Sequence, residues 1–187
     1  MTKVTLLGDS IRQIGYGPKV PALLGDQFTV WQPAENCRFA QYTLRGLWDW
    51  AEGMKDSDII HWNNGLWDVC NLFGDGSFTP LEEYVSLMKR LAGLLQQRAK
   101  VVIFATTTPV RVENPHNKNS IIDEYNARIV PELQAMGVVI NDLNAILRDD
   151  IEGNIRADDL IHLTDEAGEK CAQQVAAIIR REAAALR

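Results

Sequence analysis

The sequence predicts one α/β domain over residues 1–187, a three-layer α/β/α sandwich built on a five-stranded parallel sheet. Short apolar segments rich in β-branched residues alternate along the chain with longer segments whose apolar residues recur every three or four positions. The 187 residues are 46% hydrophobic, enough for a core without metals or disulfides. Strands that alternate with helices form right-handed crossovers, which place helices on both faces of a parallel sheet.

Five short segments have the composition of buried strands. They are residues 4–7, 28–31, 58–62, 101–105 and 138–140. Each is followed by turn-forming or helical sequence, which is typical of a βαβ unit. Because the strands are expected to be parallel, their carboxyl ends meet at one edge of the sheet, and we expect a functional site there.

Four segments between or after these strands have helical periodicity. They are residues 39–52, 81–98, 121–136 and 164–186. Pro80 precedes the second of them, at a position where proline commonly introduces a helix. Thr164 precedes two acidic residues, Asp165 and Glu166, which predicts a capped helix start.

Composition excludes several classes of partner. The chain has 19 basic and 25 acidic residues, a net charge of −6, and the two signs are mixed along the sequence. This distribution does not indicate a surface that binds nucleic acid. The three cysteines are far apart and lack CxxC spacing, so neither a disulfide framework nor a thiolate zinc site is predicted. No Gly-x-Gly-x-x-Gly follows the first strand, and we predict neither a cofactor nor a metal.

The amino terminus contains no segment that resembles a leader or a membrane span. The apolar stretch at 4–7 is far shorter than either requires. Together with the unpaired cysteines, this predicts a cytoplasmic protein that does not associate with membranes.

A serine nucleophile is the strongest chemical signal in the sequence. Ser10 follows Gly8 and Asp9 at the end of the first strand, where a doubly wound fold exposes its loops. A hydroxyl needs a neighbouring base. Of the three histidines, His162 has a suitably spaced carboxylate, Asp159, three residues earlier. This spacing allows the carboxylate to orient the ring, so we predict a catalytic Ser-His-Asp set.

The Gly-Asp-Ser block near the amino terminus and the Asp-x-x-His block near the carboxyl terminus resemble those of the SGNH hydrolases, the GDSL-like lipases and acylhydrolases. The resemblance implies a flavodoxin-like fold. It also implies an oxyanion hole formed by the N–H of Ser10, a glycine N–H after the second strand and an asparagine side chain after the third. Cys37 stands where the glycine is expected, and its backbone N–H is the predicted replacement.

The asparagine block also departs from the family pattern. Trp67 occupies the asparagine position of Gly-x-Asn-Asp and has no side-chain amide. Asn63 and Asn64 lie just before Gly65, and either amide is a candidate donor to the oxyanion. We predict Asn63. Loss of one such donor costs roughly 10²–10³ in rate, so the replacement matters for catalysis.

Three residues near these blocks are predicted to bind substrate. Arg12 follows the nucleophile and is suited to a carboxylate or a sugar hydroxyl. Asn64 is the second amide of the same loop as Asn63, and Trp67 offers an aromatic face to a sugar ring.

The predicted function is a serine esterase that hydrolyses small acyl esters, with O-acetyl groups on carbohydrates as the first candidate. Two alternatives remain open. One is a thioesterase or short-chain carboxylesterase with the same three catalytic residues. The other is a ligand-binding module in which the departures at Cys37 and Trp67 have weakened catalysis.

Overall fold

Five parallel strands form the central sheet of the computed structural model, which describes residues 1–186. They are β1 (Thr2–Leu7), β2 (Phe28–Trp31), β3 (Ile59–Trp62), β4 (Val101–Ala105) and β5 (Val139–Asn141). Their order across the sheet is β2-β1-β3-β4-β5, and every neighbouring pair is parallel. The predicted sheet is therefore confirmed, with strand bounds that differ from the prediction by at most two residues.

Helices cover both faces of this sheet. They are α1 (Val20–Leu24), α2 (Ala40–Asp49), α3 (Ala51–Met54), α4 (Leu81–Gln96), α5 (Asn119–Ala135), α6 (Leu143–Arg148), α7 (Ile151–Asn154) and α8 (Asp165–Ala185). One layer contains α1, α6, α7 and α8, and the other contains α2, α4 and α5. The predicted α/β/α sandwich is confirmed.

The four predicted helical segments all contain helices, although one is divided. The segment predicted at 39–52 forms α2 and α3, which are separated at Trp50. The short helices α1, α6 and α7 were not predicted, because four to six residues are too few to establish a helical period. Thr164 caps α8 as expected, since its hydroxyl accepts a hydrogen bond from the Ala167 N–H.

The chain reverses direction across the sheet next to β1. It passes from β1 to β2 at one edge and then returns to β3 on the other side of β1. The loops after β1 and β3 therefore diverge and leave a crevice at the carboxyl ends of these strands. This crevice is where Ser10 and Asn63 lie.

The strands that carry the site are buried. All four residues of β3 are buried, as are Val4, Leu6 and Leu7 of β1. Because both faces of the sheet contact apolar side chains of the helices, these strands are rich in hydrophobic residues. Among residues 1–186, no helix is both long enough and apolar enough to cross a bilayer.

Candidate active site

Ser10 lies at the start of a short π-helical turn, Ile11–Tyr16, directly after β1. The N–H of Gly17 donates to the carbonyl of Arg12, five residues earlier, at 2.8 Å. Asp9 supports the turn from its buried position, because its Oδ1 accepts a hydrogen bond from the Ile11 N–H at 3.0 Å. Short π-helical segments are rare in proteins, but those that occur are often located at functional sites. The turn places the Ser10 side chain, which is partly exposed, at the crevice.

The structure brings Ser10, His162 and Asp159 together in one hydrogen-bonded chain. The Oγ of Ser10 lies 2.8 Å from Nε2 of His162, and Nδ1 of His162 lies 2.9 Å from Oδ2 of Asp159. The hydrogen-bond network assigns the ring proton to Nδ1 and leaves the Nε2 lone pair facing the serine. This is the arrangement of a nucleophile, a general base and the group that orients the base.

The loop that carries Asp159 and His162 is shaped by local hydrogen bonds. Leu160 adopts a left-handed φ of 67°, which turns the chain between the two catalytic candidates. Oδ1 of Asp159 accepts the N–H groups of Ile161 and His162 at 3.1 and 2.9 Å. Burial alone would raise the pKa of Asp159, but hydrogen bonds from His162 and Ile161 lower it overall. The carboxylate therefore stays ionised and able to orient the imidazole.

Asn63 is held beside the nucleophile by two buried partners. Its Nδ2 donates to Oδ1 of Asp9 at 2.8 Å, and its Oδ1 accepts the Tyr16 hydroxyl at 2.8 Å. Gly8 permits this approach, because a Cβ at that position would lie 2.0 Å from Oδ1 of Asn63. One of the two Nδ2 protons of Asn63 is used by Asp9, and the other remains to be donated elsewhere.

Cys37 does not supply the oxyanion N–H that the family pattern implied. Its N–H donates to the carbonyl of Gly8 at 3.0 Å, and its Sγ accepts the Gly8 N–H at 3.2 Å. The prediction for Cys37 is wrong, because its N–H is already donated to the Gly8 carbonyl. Burial raises the pKa of the Cys37 thiol to about 11, so it is also unsuited to act as a nucleophile.

Arg12 is a structural residue rather than a substrate ligand. The side chain is buried, with 1% of its surface exposed. Its guanidinium donates to three backbone carbonyls, those of Glu35 at 2.7 Å, Pro33 at 2.8 Å and Gly8 at 3.2 Å. The predicted substrate contact is therefore wrong. Arg12 instead attaches the loop after β2 to the turn that carries the nucleophile.

Replacing Arg12 with methionine is expected to lower the free energy of unfolding by roughly 2–4 kcal/mol, because the buried carbonyl of Pro33 and the partly buried carbonyl of Glu35 lose a charged donor. Urea denaturation measures the loss. Arg45→Met is a matched control, since the side chain of Arg45 is 64% exposed and forms an ion pair with Asp49 one turn away; this variant should lose less than about 0.5 kcal/mol. Unchanged stability together with a raised KM in Arg12→Met would restore the substrate-binding interpretation.

Asn64 is likewise fully occupied by structural hydrogen bonds. Its Nδ2 donates to the carbonyl of Arg38 at 2.8 Å and to Oγ1 of Thr43 at 2.9 Å. Its Oδ1 accepts the indole N–H of Trp62 at 3.1 Å. Because the side chain is completely buried and has no donor left, the prediction that Asn64 binds substrate is wrong.

Trp67 lies at an apolar cleft beside the catalytic candidates. The side chain is 41% exposed. The cleft has a volume of about 280 Å³ and is lined by Phe39, Leu66, Trp67, Cys70, Leu72, Phe78, Asn117 and Ile161. Ile161 directly precedes His162, so one wall of the cleft adjoins the loop that carries His162. Trp67 therefore remains a candidate substrate contact.

The sequence analysis missed the contribution of the long connection between β3 and α4 to this cleft. Leu72, Phe73 and Phe78 are exposed in a segment that also contains Gly74 and Gly76. The sequence pattern that could have predicted this part of the cleft is the group of aromatic and aliphatic residues within a glycine-rich loop.

Asp68 joins this connection to α2. Its carboxylate accepts the N–H of Ala40 at 3.1 Å and the hydroxyl of Thr79 at 2.8 Å. Burial raises its pKa from 3.8 to about 7. The folded protein therefore binds the Asp68 proton more tightly than the unfolded chain does. Because of this difference, the contribution of Asp68 to stability is lost as pH rises from about 4 to about 7.

Asp68→Asn should remove that pH-dependent loss. Denaturation at intervals from pH 4 to 8 is expected to show the variant gaining stability relative to wild type as pH rises. The comparison between variants is needed because burial lowers the pKa of His61 to about 3, which has the opposite effect on the wild-type curve. Asp75→Asn, an exposed change in the same loop, is the control. Parallel curves for wild type and Asp68→Asn would contradict the prediction.

Several solved structures similar to this chain are described as esterases or acylhydrolases. The acetyl xylan esterase AlAXEase is 18% identical, with a TM-score of 0.77 over 95% of this chain and 99% of its own. A lipase/acylhydrolase from Enterococcus faecalis is 16% identical, with a TM-score of 0.79 over 97% of each chain. The acetylxylan esterase Axe2 from Geobacillus stearothermophilus is 16% identical, with a TM-score of 0.73 over 97% of this chain and 93% of its own.

No protein-family model matches the chain, and no curated protein matches it in sequence. A lipolytic protein of the G-D-S-L family from Veillonella parvula has a TM-score of 0.77 over 97% of this chain and all of its own, at 14% identity. The chain thus has the fold of the GDSL, or SGNH, hydrolases.

Proposed function

We propose that this protein is a serine esterase that hydrolyses small acyl esters, with O-acetyl groups on carbohydrates as its first candidate substrates. The observation that carries the proposal is the unbroken chain from Ser10 through His162 to Asp159, with contacts of 2.8 and 2.9 Å. A serine, a histidine and a carboxylate in this order and geometry can perform acyl transfer.

The proposed reaction has two halves. Nε2 of His162 takes the proton from Ser10 as Oγ attacks the acyl carbon, and Asp159 stabilises the imidazolium that forms. The same proton then passes to the departing alcohol, which leaves an acyl group on Ser10. A water molecule then gives a proton to Nε2 of His162 as it attacks this acyl group, and His162 returns that proton to Oγ of Ser10 as the bond to Ser10 breaks and the acid is released.

The tetrahedral intermediates need donors for the developing oxyanion. The proposed donors are the backbone N–H of Ser10 and the second amide proton of Asn63. The support for Asn63 is its orientation, since Tyr16 and Asp9 hold the two ends of its amide. A donor held in place before the reaction stabilises the oxyanion without reorganisation during it.

The preference for acetyl esters rests on the acetylxylan esterases among the structural neighbours and on Trp67 at the cleft. The apolar lining of that cleft favours the alternative, a short-chain carboxylesterase or thioesterase that accepts longer acyl groups. A binding module without catalysis is disfavoured by the connected Ser10, His162 and Asp159. The three free cysteines support the proposed reducing, cytoplasmic location.

A series of p-nitrophenyl esters tests the proposal. We expect kcat/KM to fall from acetate to butyrate to octanoate, and acetate to be released from acetylated xylo-oligosaccharides. A preference for octanoate would favour the carboxylesterase, and faster cleavage of acyl-CoA than of the oxygen esters would favour the thioesterase. No turnover of any ester would leave the binding module as the better interpretation.

A further inference from the structure

Arg38 has an unusual backbone conformation at the edge of the candidate active site. Its φ is 51°, in the left-handed region that few non-glycine residues adopt. Its N–H donates to Oδ1 of Asn36 at 2.7 Å, and its carbonyl accepts Nδ2 of the buried Asn64 at 2.8 Å. Strained residues persist where their surroundings hold them, and they are frequent at ligand sites.

The exposed side chain of Arg38 is held by aromatic rings. Its guanidinium carbon lies 4.9 Å from the ring centroid of Tyr42 and 6.0 Å from that of Trp67. Such cation–π contacts position a guanidinium while its N–H groups remain free to donate.

No carboxylate of residues 1–186 forms an ion pair with Arg38. Glu35, the acid nearest in sequence, is engaged elsewhere. Its two oxygens accept the Tyr42 hydroxyl at 2.7 Å and the Trp50 indole N–H at 2.6 Å. Among residues 1–186, Arg38 thus forms no direct ion pair, although its charge, after these two hydrogen bonds, is among the causes that lower the pKa of Glu35.

The cleft connects this cation to the catalytic loop. Trp67, which lies against the guanidinium, also lines the cleft, as does Phe39, the residue after Arg38. Ile161, the residue before His162, lines the same cleft. A ligand that fills the cleft would therefore contact residues that adjoin His162 and Arg38 in the chain, Ile161 and Phe39.

We propose that Arg38 binds a carboxylate on the substrate, so that the enzyme prefers esters that carry an acidic group. This inference rests on the proposed esterase function. A guanidinium matches a carboxylate with two parallel hydrogen bonds. The protein's net charge of −6 makes a local cation important, because the overall field disfavours an anionic ligand.

Two pairs of esters test Arg38 and identify where the carboxylate lies. The first compares p-acetoxybenzoate with its methyl ester, so that the acid is on the leaving alcohol. The second compares the p-nitrophenyl monoester of glutarate with p-nitrophenyl valerate, so that the acid is on the acyl group. We expect wild type to have a higher kcat/KM for the ester with the free carboxylate than for its uncharged counterpart in one of the two pairs, and that pair identifies where the carboxylate lies. Arg38→Met should lower this ratio of kcat/KM values roughly 10-fold, mainly by raising KM for the acidic ester.

Arg38→Lys should retain part of the preference, because it keeps the charge and loses the bidentate geometry. Arg45→Met, which removes one exposed charge from α2, should leave the preference unchanged. Equal loss of activity on both esters in Arg38→Met, or no preference for either acid in wild type, would overturn the proposal. If wild type cleaves no ester, the esterase function fails. Calorimetric binding of p-acetoxybenzoate to wild type and Arg38→Met then decides the role of Arg38 separately.

Discussion

Ser10→Ala is expected to lower kcat for p-nitrophenyl acetate by about 10⁴ to 10⁶ with little change in KM. The hydroxyl is the only protein group in the proposed mechanism that forms a covalent bond to the acyl carbon. His162 and Asp159 have no nucleophile to activate once it is removed. The variant should stay folded, because Ser10 is partly exposed and its side chain contacts His162 rather than the core.

Covalent labelling distinguishes loss of the nucleophile from loss of the fold. A fluorophosphonate should add one adduct to wild type, detected by intact-protein mass spectrometry, and none to Ser10→Ala. Ser120→Ala, at an exposed position in α5, is the matched control and should be labelled like wild type. Labelling of Ser10→Ala, or residual kcat near the wild-type value, would place the nucleophile elsewhere.

Asn63→Ala is expected to lower kcat by roughly 10²–10³, the usual cost of one oxyanion donor. The effect should be on kcat rather than KM, because the oxyanion exists only in the tetrahedral intermediates and the transition states that flank them. Fluorophosphonate labelling should become slower without being abolished, since Ser10 and His162 are unchanged. A lower kcat together with slower but retained labelling distinguishes an oxyanion donor from Ser10, whose loss abolishes labelling.

Tyr16→Phe controls for the structural bonds of Asn63. Burial raises the pKa of Tyr16 well above its usual value, so the hydroxyl keeps its proton and donates to Oδ1 of Asn63. The phenylalanine variant removes this bond but leaves the amide donor in place, and should retain more activity than Asn63→Ala. If the two variants lose the same activity and the same stability, the role of Asn63 is structural, and the proposed donor is wrong.

The confirmed part of the sequence analysis rests on local patterns. A buried strand such as β4 is a continuous apolar run, and a long helix such as α4 repeats its apolar residues over four turns. Ser10, Asp159 and His162 were also predicted from local patterns, and their catalytic role is a proposal. The serine follows a strand with a glycine two residues before it, and the aspartate and histidine are three residues apart.

The sequence alone determined the α/β/α architecture, the parallel sheet and the residues proposed for catalysis, because periodicity and short motifs depend on residues that are close together in the sequence. Only the tertiary structure decided which polar residues face the site. Arg12 and Arg38 have the same charge, yet the loop after β2 surrounds the first with carbonyls and presents the second between two aromatic rings. Asn63 and Asn64 are adjacent, yet only Asn63 lies against Asp9. Exposure and hydrogen-bond partners depend on segments far apart in the chain, which no local pattern specifies.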